Sequence, residues 1–196
     1  MDLIIDTPTT ARWGKQKFRC AIGAGGAVHP INKREGDKRT PAGRWLMREV
    51  FYRTDRVMEP ITKLPTRILH PKDGWCENPS DVNYNKLVQN PYRVPVDNLW
   101  RDEAIYDLFV PLGYNDDPVV AGMGSAIFLH VARPDYAPSA GCITLKKADL
   151  IKVLKEADPT SAVDITIPVM EVEPVPDPTE YTVKDIDWET ILASVD

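Results

Sequence analysis

Short apolar runs, several with polar residues in alternation, recur along the first 168 residues and predict β-strands. Six segments have this character: residues 3–6, 17–22, 45–52, 104–112, 126–132 and 163–167. A turn is expected at Thr7-Pro8, directly after the first of them. Because the runs are short and loops separate them, the pattern favours a mainly β fold.

One segment has the periodicity of an amphipathic helix instead. In residues 147–157, apolar side chains recur at three- and four-residue intervals and form one face: Leu150, Val153, Leu154 and Ala157. Residues 80–87 are also predicted to form a short helix. Because the 196 residues include 18 Pro and 11 Gly, long helices are not expected.

A segment rich in Pro, Asn and Asp separates the early strands from the later ones. We interpret residues 54–100 as a long, loop-rich insertion, and a loop of this length in a compact domain is usually functional or disordered. Its aromatic residues favour order, since aromatic side chains bury much area: Trp75, Tyr84, Tyr92 and Trp100. They could form a satellite core or line a substrate groove.

The composition changes after Pro168. Residues 169–196 are acidic, and Pro-rich at first, so we interpret them as a tail that leaves a single domain of residues 1–168. Overall, 43% hydrophobic and 27% charged residues are typical of a globular protein. The net charge of −5, without a dense basic run, argues against a nucleic-acid partner.

Two further features bear on location and redox state. No run approaches the roughly 18 apolar residues of a membrane span, and residues 1–6 are too short and too acidic for a signal peptide. Cys20, Cys76 and Cys142 lie far apart without CxxC spacing. A disulfide framework is therefore not expected, and at least one thiol is free.

The stretch "HVARPDYAPSAGCITL", residues 130–145, places a histidine and a cysteine close together. A cysteine acts as a nucleophile only as its thiolate, which a nearby histidine or a helix N-terminus favours. His130 ends a predicted strand, and Cys142 precedes the predicted helix. Gly141 allows a sharp turn, so the N–H groups of Gly141 and Cys142 could together bind an oxyanion. These residues are candidates for base, nucleophile and oxyanion hole.

Other interpretations remain open at this point. A lone cysteine is often a small buried hydrophobe, and a lone histidine often a hydrogen-bonded core residue. A zinc site would need two further ligands, such as His70 and Cys76, but zinc ligands usually come in closely spaced pairs. A papain-type hydrolase would have the cysteine first and the histidine far later, the reverse of the order of His130 and Cys142.

Two motifs resemble those of a known family, the L,D-transpeptidases with a YkuD-type catalytic domain. "GSAIFLHVARPDYAPSAGCITL" is similar to the segment that runs from the family's histidine to its S/T-x-G-C. "GDKRTPAGRW" is similar to the family's TP-x-G loop before a strand. The resemblance covers roughly residues 1–168. It implies a mainly β, sandwich-like or barrel-like fold with a few short helices, and a cysteine enzyme without metal or other cofactor.

The resemblance also implies roles for the motif residues. Cys142 would attack a carbonyl of a peptidoglycan stem peptide, and His130 would take the thiol proton, its other ring nitrogen held by the Val131 carbonyl. The N–H groups of Gly141 and Cys142 would bind the oxyanion. The amine of a second stem peptide would then resolve the thioester, giving a 3,3 or a 1,3 crosslink.

Water as acceptor would make the protein a carboxypeptidase, and a D-amino acid would make it an exchange enzyme. A non-catalytic cell-wall binding module is a further alternative. The family implies an enzyme of bacterial cell-wall biogenesis and cell shape that acts in the cell envelope or periplasm and is acylated by carbapenem-type inhibitors. The oligomeric state is left open.

Several residues depart from the family pattern. Many members have Gly after the histidine, a basic residue or His before the Gly-Cys pair, and Arg or Asn two places after the cysteine; this chain has Val131, Ala140 and Thr144. The step from His130 to Cys142, twelve positions (142 − 130), is shorter than usual. These departures concern substrate contacts more than the thiol chemistry.

The remaining candidates for substrate contacts are hypotheses. Arg133 could bind a substrate carboxylate, or could simply be solvated. Tyr136 and Ser139 could shape the same cleft, with Ser139 orienting the turn through its hydroxyl. Trp75 and Tyr84, in the insertion, could form a lid.

Overall fold

A computed structural model describes residues 1–168 of the chain. Fifteen strands, one α-helix (α1) and two 3₁₀ turns lie within that range. The strands β1 to β15 are Leu3–Thr7, Thr10–Trp13, Gln16–Ala21, Ala27–Val28, Thr40–Pro41, Gly43–Leu46, Val50–Tyr52, Thr66–Ile68, Asp73–Trp75, Leu87–Gln89, Asp97–Asn98, Leu108–Pro111, Phe128–Val131, Ile143–Leu145 and Ala162–Ile165. The helix α1 is Lys147–Glu156, and the 3₁₀ turns are Pro30–Asn32 and Ala104–Tyr106.

Ten of the strands form one sheet, in the order β6-β15-β1-β2-β3-β14-β13-β12-β7-β8. Most neighbours are antiparallel, but β13 and β14 are parallel and pair Leu129 with Ile143 and His130 with Thr144. The predicted mainly β fold class is confirmed, as is the helix, whose apolar face is buried. The predicted tail, residues 169–196, lies outside the described residues.

Several details of the predicted elements are wrong or incomplete. The segment predicted as a strand over residues 104–112 begins with the 3₁₀ turn Ala104–Tyr106, and β12 starts only at Leu108. The strand β2 was not predicted, and the predicted strand over residues 45–52 is two strands, β6 and β7. The predicted helix over residues 80–87 is a series of turns, in which Asp81 Oδ1 accepts a hydrogen bond from the Asn83 N–H at 2.8 Å. Such side-chain bonds to the local backbone compete with helix formation.

The pleat of the central strands sends alternate side chains to opposite faces of the sheet. On β13, Leu129 belongs to a large cluster that also contains the buried face of α1. Phe128, one residue earlier, belongs to a smaller cluster on the other face, and His130 follows the same alternation. Ile143 lies in the large cluster and Cys142 in the smaller one. The histidine and the cysteine therefore share one face.

The insertion covers the face that carries Cys142. Its strands β9, β10 and β11 form a separate three-stranded sheet. Trp75 and Trp100 pack against the smaller cluster, and the Trp75 ring meets Phe128 edge-on, with centroids 5.0 Å apart. Of the two interpretations of the insertion's aromatics, the satellite core is confirmed for these two residues.

Candidate active site

The strand β13 carries His130 on its cavity-facing side, with 4% of the side chain's surface exposed. Its Nδ1 lies 3.0 Å from the carbonyl oxygen of Val131, the next residue. Because a carbonyl oxygen only accepts, Nδ1 carries the hydrogen, and Nε2 of a neutral ring keeps a free lone pair. The local backbone therefore selects the tautomer that a general base needs.

The surroundings of His130 keep the ring uncharged. The Tyr106 ring packs edge-on against it, with centroids 5.4 Å apart. Burial away from water lowers the pKa of His130 to about 4, and the charge of Arg133 adds to this in a smaller degree. At neutral pH the imidazole is a neutral, potential proton acceptor.

Cys142 lies between two backbone groups of the preceding strand segment. Its thiol donates to the Ala126 carbonyl oxygen at 3.1 Å, and its sulfur accepts from the Phe128 N–H at 3.4 Å. Burial raises the pKa of the thiol to about 12. Within residues 1–168, no hydrogen bond joins the sulfur to the His130 ring, so the resting group is a protonated thiol rather than half of an ion pair.

Two expectations about Cys142 need correction. The expected thiol activation by a helix N-terminus is not seen, because β14 intervenes and α1 begins only at Lys147. The N–H of Gly141 is not free to bind an oxyanion in this conformation, since it donates to Ser139 Oγ at 3.0 Å. The N–H of Cys142 is the donor of that pair left for the proposed oxyanion hole.

Ser139 organises the turn before the cysteine, as predicted for its hydroxyl. While it accepts from the Gly141 N–H, Ser139 Oγ donates to the Cys142 carbonyl oxygen at 2.6 Å. Gly141 has φ +143°, and an added Cβ would lie 2.9 Å from the Arg39 carbonyl oxygen. Both the backbone conformation and the lack of space require glycine at this position.

Thr40 joins the two sequence motifs, and the sequence did not mark it individually. Its buried hydroxyl donates to the Gly141 carbonyl oxygen at 2.8 Å and accepts from the Gly23 N–H at 2.9 Å. The TP-x-G loop therefore braces the turn before Cys142 from about a hundred residues away in sequence. The quoted "GDKRTPAGRW" motif was the only available signal, because no local pattern reveals such a long-range pair.

His130 and Cys142 line the same cavity, which has a volume of about 350 Å³. Ser139 and Ala140 also line it, and Tyr106 contributes an aromatic wall. Charged side chains of both signs complete the lining: Lys33, Glu35, Lys38, Glu77, Asp97, Arg101 and Arg133. The sequence did not single out the charged residues of this wall apart from Arg133.

Among these charges, Glu77 has an unusual environment. Glu77 is exposed at the cavity, and desolvation by the surrounding wall together with the nearby charges of Asp97 and Glu35 raises the pKa of its carboxyl to about 7. Asp97 instead accepts a hydrogen bond from the Tyr106 hydroxyl at 3.0 Å and pairs with Arg101. The cavity wall thus combines paired charges with the Glu77 carboxyl, whose pKa is raised.

The other predicted contact residues have different placements. Arg133 lines the cavity but pairs with Glu103 at 3.0 Å. Tyr136 lies at a neighbouring cavity, where its ring stacks under the Arg19 guanidinium at 4.2 Å from the centroid. The hypothesis that Tyr136 shapes the cleft of Cys142 therefore has no support in the cavity lining.

Trp75 and Tyr84 do not line the cavity either. Trp75 donates through its indole N–H to Asn85 Oδ1 at 2.9 Å, and Tyr84, 3% exposed, donates through its hydroxyl to Glu35 Oε2. Glu35 also accepts from Ser125 Oγ at 2.7 Å. Both aromatics support the cavity wall from behind, so the predicted lid is wrong for these two residues.

The departures from the family pattern have separate explanations. The Val131 side chain belongs to the large cluster on the far face, so its size does not narrow the cavity. Thr144 pairs with His130 across β13 and β14, and its buried hydroxyl has no hydrogen-bond partner within residues 1–168. It is not part of the cavity lining, so its predicted substrate contact has no support there.

Neither a metal site nor a membrane span is found in the described part of the chain. Within residues 1–168, no group of three or more His, Cys, Asp or Glu side chains could hold a metal ion. In the same range, no helix has both the length and the apolar character needed to cross a bilayer. The zinc alternative, with His70 and Cys76 as ligands, therefore has no geometric support.

Comparison with protein families gives one finding. The model of the L,D-transpeptidase catalytic domain, YkuD, matches residues 3–165. This match spans both sequence motifs and the whole ten-stranded sheet. Neither the curated proteins nor the solved structures include a match.

Proposed function

Because this chain belongs to the L,D-transpeptidase (YkuD) family, we propose that it is a cysteine acyltransferase that crosslinks peptidoglycan stem peptides. The observation that carries the proposal is the shared cavity of His130 and Cys142, in which Val131 leaves Nε2 of the imidazole free to take a proton. A substrate bound in this cavity would therefore meet both a nucleophile and a base. The substrate places the site of action in the bacterial cell envelope.

The first half-reaction forms a thioester. The Cys142 side chain turns from the Ala126 carbonyl toward His130, and Nε2 takes the thiol proton as sulfur attacks the donor carbonyl. The N–H of Cys142 stabilises the oxyanion. The tetrahedral intermediate then expels the amine of the donor's terminal residue, which takes the proton back from His130.

The second half-reaction consumes the thioester without an external energy source. An amine of a second stem peptide gives up a proton to Nε2 and attacks the thioester carbonyl. The new amide forms, and the thiolate leaves and regains the proton from His130. Water in place of the amine would release a shortened stem, the carboxypeptidase outcome. The proposal is that the amine is preferred and that the crosslink is of the 3,3 or 1,3 type.

The charged wall of the cavity suits such a substrate. Stem peptides carry amines and carboxylates close together, and the lining offers ammonium, guanidinium and carboxylate groups to both. Within residues 1–168, Lys38 is the cation of this wall without an ion pair. Glu35 and Glu77 are its two carboxyls without one, and Glu35 instead accepts hydrogen bonds from Tyr84 and Ser125. We therefore propose a zwitterionic stem peptide as donor.

Acylation by a carbapenem, measured as intact mass, tests the thiol chemistry. We expect one stable adduct on the wild type and none on Cys142→Ala, with the label on the peptide that contains Cys142. A purified stem tetrapeptide, offered alone and then with a second stem, next distinguishes hydrolysis from crosslinking by mass. A folded wild type without adduct and without turnover would rule the enzyme out and leave a cell-wall binding module.

A further inference from the structure

The acceptor of the Cys142 thiol is itself held in an unfavourable conformation. Ala126 has φ +53°, in the left-handed region that residues with a Cβ avoid, and its side chain is 6% exposed. Such a conformation persists only where its surroundings impose it. Its carbonyl oxygen nevertheless receives the thiol at 3.1 Å. Something in the surroundings must therefore fix Ala126.

The side chain of Asn85, from the insertion, supplies that constraint. Its Oδ1 accepts from the Ala126 N–H at 3.0 Å, in a bond whose two ends are both buried. The same oxygen accepts from the Trp75 indole N–H at 2.9 Å. The amide nitrogen donates to the Tyr114 carbonyl at 3.3 Å and the Asn115 carbonyl at 2.7 Å. All four hydrogen-bonding positions of the amide are used.

These bonds give the Asn85 side chain a fixed orientation. Asn85 is 8% exposed, and its own backbone has φ +56°, a conformation that asparagine tolerates better than most residues. An amide with four partners cannot turn without leaving buried groups unpaired, which is costly. Asn85 is thus a rigid link between the insertion and the strand segment that contacts the nucleophile.

From this chain of contacts we propose that Asn85 is a positioning residue for the nucleophile. It holds Ala126 so that the Ala126 carbonyl binds the resting Cys142 thiol and turns the thiol away from His130. The insertion thereby sets the reactivity of the cysteine without touching it. The inference rests on the proposed function for its meaning in catalysis, but the state of the thiol can be measured without any turnover.

The pH dependence of Cys142 alkylation tests this role. Iodoacetamide labelling is followed at the Cys142 peptide by mass spectrometry, so that Cys20 and Cys76 do not contribute. In Asn85→Ala the carbonyl is released and the protonated thiol loses an acceptor, so the rate at a fixed pH rises about fivefold, the usual effect of one hydrogen bond. The rate profile moves to lower pH. A purely structural role would leave the profile in place.

A second variant should move the pH profile of Cys142 alkylation to higher pH. Asn85→Asp keeps Oδ1 as the acceptor for Ala126 but replaces the amide donor to the Tyr114 and Asn115 carbonyls by a second oxygen. Its ionised form places a negative charge near the thiol, so the rate at the same pH falls below that of the wild type. Matched controls are Asn83→Ala and Asn83→Asp, in the same turn, where the side chain donates to the Tyr92 hydroxyl instead. Both controls should follow the wild-type profile.

Relief of the backbone conformation gives a third test. Glycine adopts φ +53° without strain, so Ala126→Gly should reduce the effect of Asn85→Ala in the double variant. Variants are compared only when they melt cooperatively. A wild-type profile in either folded Asn85 variant, or an equal shift in the Asn83 controls, would overturn the proposal.

Carbapenem acylation of the same samples separates the two claims. A wild type that alkylates as expected but never acylates contradicts the proposed function and leaves the role of Asn85 standing. A wild type that acylates, together with Asn85 variants that have the wild-type alkylation profile, contradicts the role of Asn85 alone.

Discussion

The two faces of the central sheet are built from alternate residues of the same strands but differ in chemistry. On the helix side, Leu129 and Ile143 pack against α1, and neither side chain is exposed. On the other side, His130 and Cys142 lie among aromatic rings and face a cavity. The strand β13 thus places buried aliphatic side chains on one face and the cavity-lining His130 on the other.

The two faces differ in whether they bury polar side chains that need hydrogen-bond partners. The helix side buries mostly aliphatic groups, whose packing needs no specific partner, together with a few aromatic side chains such as Trp13 and Phe18. The cavity side buries an imidazole and a thiol, and each is bound to a backbone carbonyl, Val131 for His130 and Ala126 for Cys142. These backbone hydrogen bonds therefore compensate for burial and also fix the orientation of both side chains.

The largest expected effect comes from removing the proposed base, His130, on the cavity side. His130→Ala should lower the rate of carbapenem acylation about 10²- to 10⁴-fold, the usual contribution of a general base. The exposed His29→Ala, at the start of a 3₁₀ turn, is the control and should acylate normally. Stopped-flow or mass-resolved kinetics gives both rates. Equal acylation by the two variants would remove His130 from the mechanism.

A substitution that creates a void on the helix side should lower stability rather than the rate of acylation. Leu129→Ala leaves a void in the fully buried large cluster, so the free energy of unfolding falls by about 2 to 5 kcal/mol. Urea denaturation measures this change, and acylation by the folded fraction should stay within a few-fold of wild type. Ile151→Ala, on the half-exposed side of α1, should cost under about 0.5 kcal/mol. A Leu129→Ala variant as stable as wild type would contradict the assignment.

The pH dependence of the thiol distinguishes a resting thiol from an ion pair. Since burial raises the pKa of Cys142 to about 12 and lowers that of His130 to about 4, the thiol is protonated and the ring neutral at pH 7. The alkylation rate should therefore rise about tenfold per pH unit through pH 10. A plateau between pH 5 and 9 would instead indicate a thiolate–imidazolium pair.

The smallest effect is expected at the cavity mouth. The pKa of Glu77 is raised to about 7 in the folded chain, so the folded state keeps a proton that the unfolded state loses above its lower pKa. The carboxyl therefore reduces stability as pH rises from about 4.5 to 7, and by a constant amount above that. Glu77→Gln should raise Tm by about 1 °C at pH 8 and not at pH 4, since solvent screens the charge. Equal shifts at both pH values would contradict this.

Local patterns in the sequence predicted the elements that carry the site. A short apolar run located β13, and helical periodicity located α1, because both patterns follow from which side chains are buried. The two motifs named His130 and Cys142 as candidates, and these two do share one cavity. Their catalytic roles stay predictions.

Such local patterns could not predict hydrogen bonds between segments that are far apart in the sequence. The bond from Thr40 to Gly141 and the bond from Asn85 to Ala126 join segments far apart in the chain, and neither residue belongs to a periodic element that would reveal it. The engagement of the Gly141 N–H by Ser139 depends on one side-chain rotamer. The helix predicted over residues 80–87 is a series of turns, because the Asp81 side chain binds the Asn83 N–H and Asn85 adopts a positive φ.

The parallel pairing of β13 and β14 limits how this protein can diverge. Parallel neighbours need a crossover connection, usually of a dozen or more residues, and here residues 132–142 serve as that crossover and contain the turn that leads to Cys142. An inserted residue would either shift the pairing of His130 with Thr144 or lift the turn away from Thr40. A change in the length of this crossover, which is already shorter here than is usual in the family, therefore has to be matched by the turn that Thr40 braces, whereas residues 54–100 lie outside that constraint.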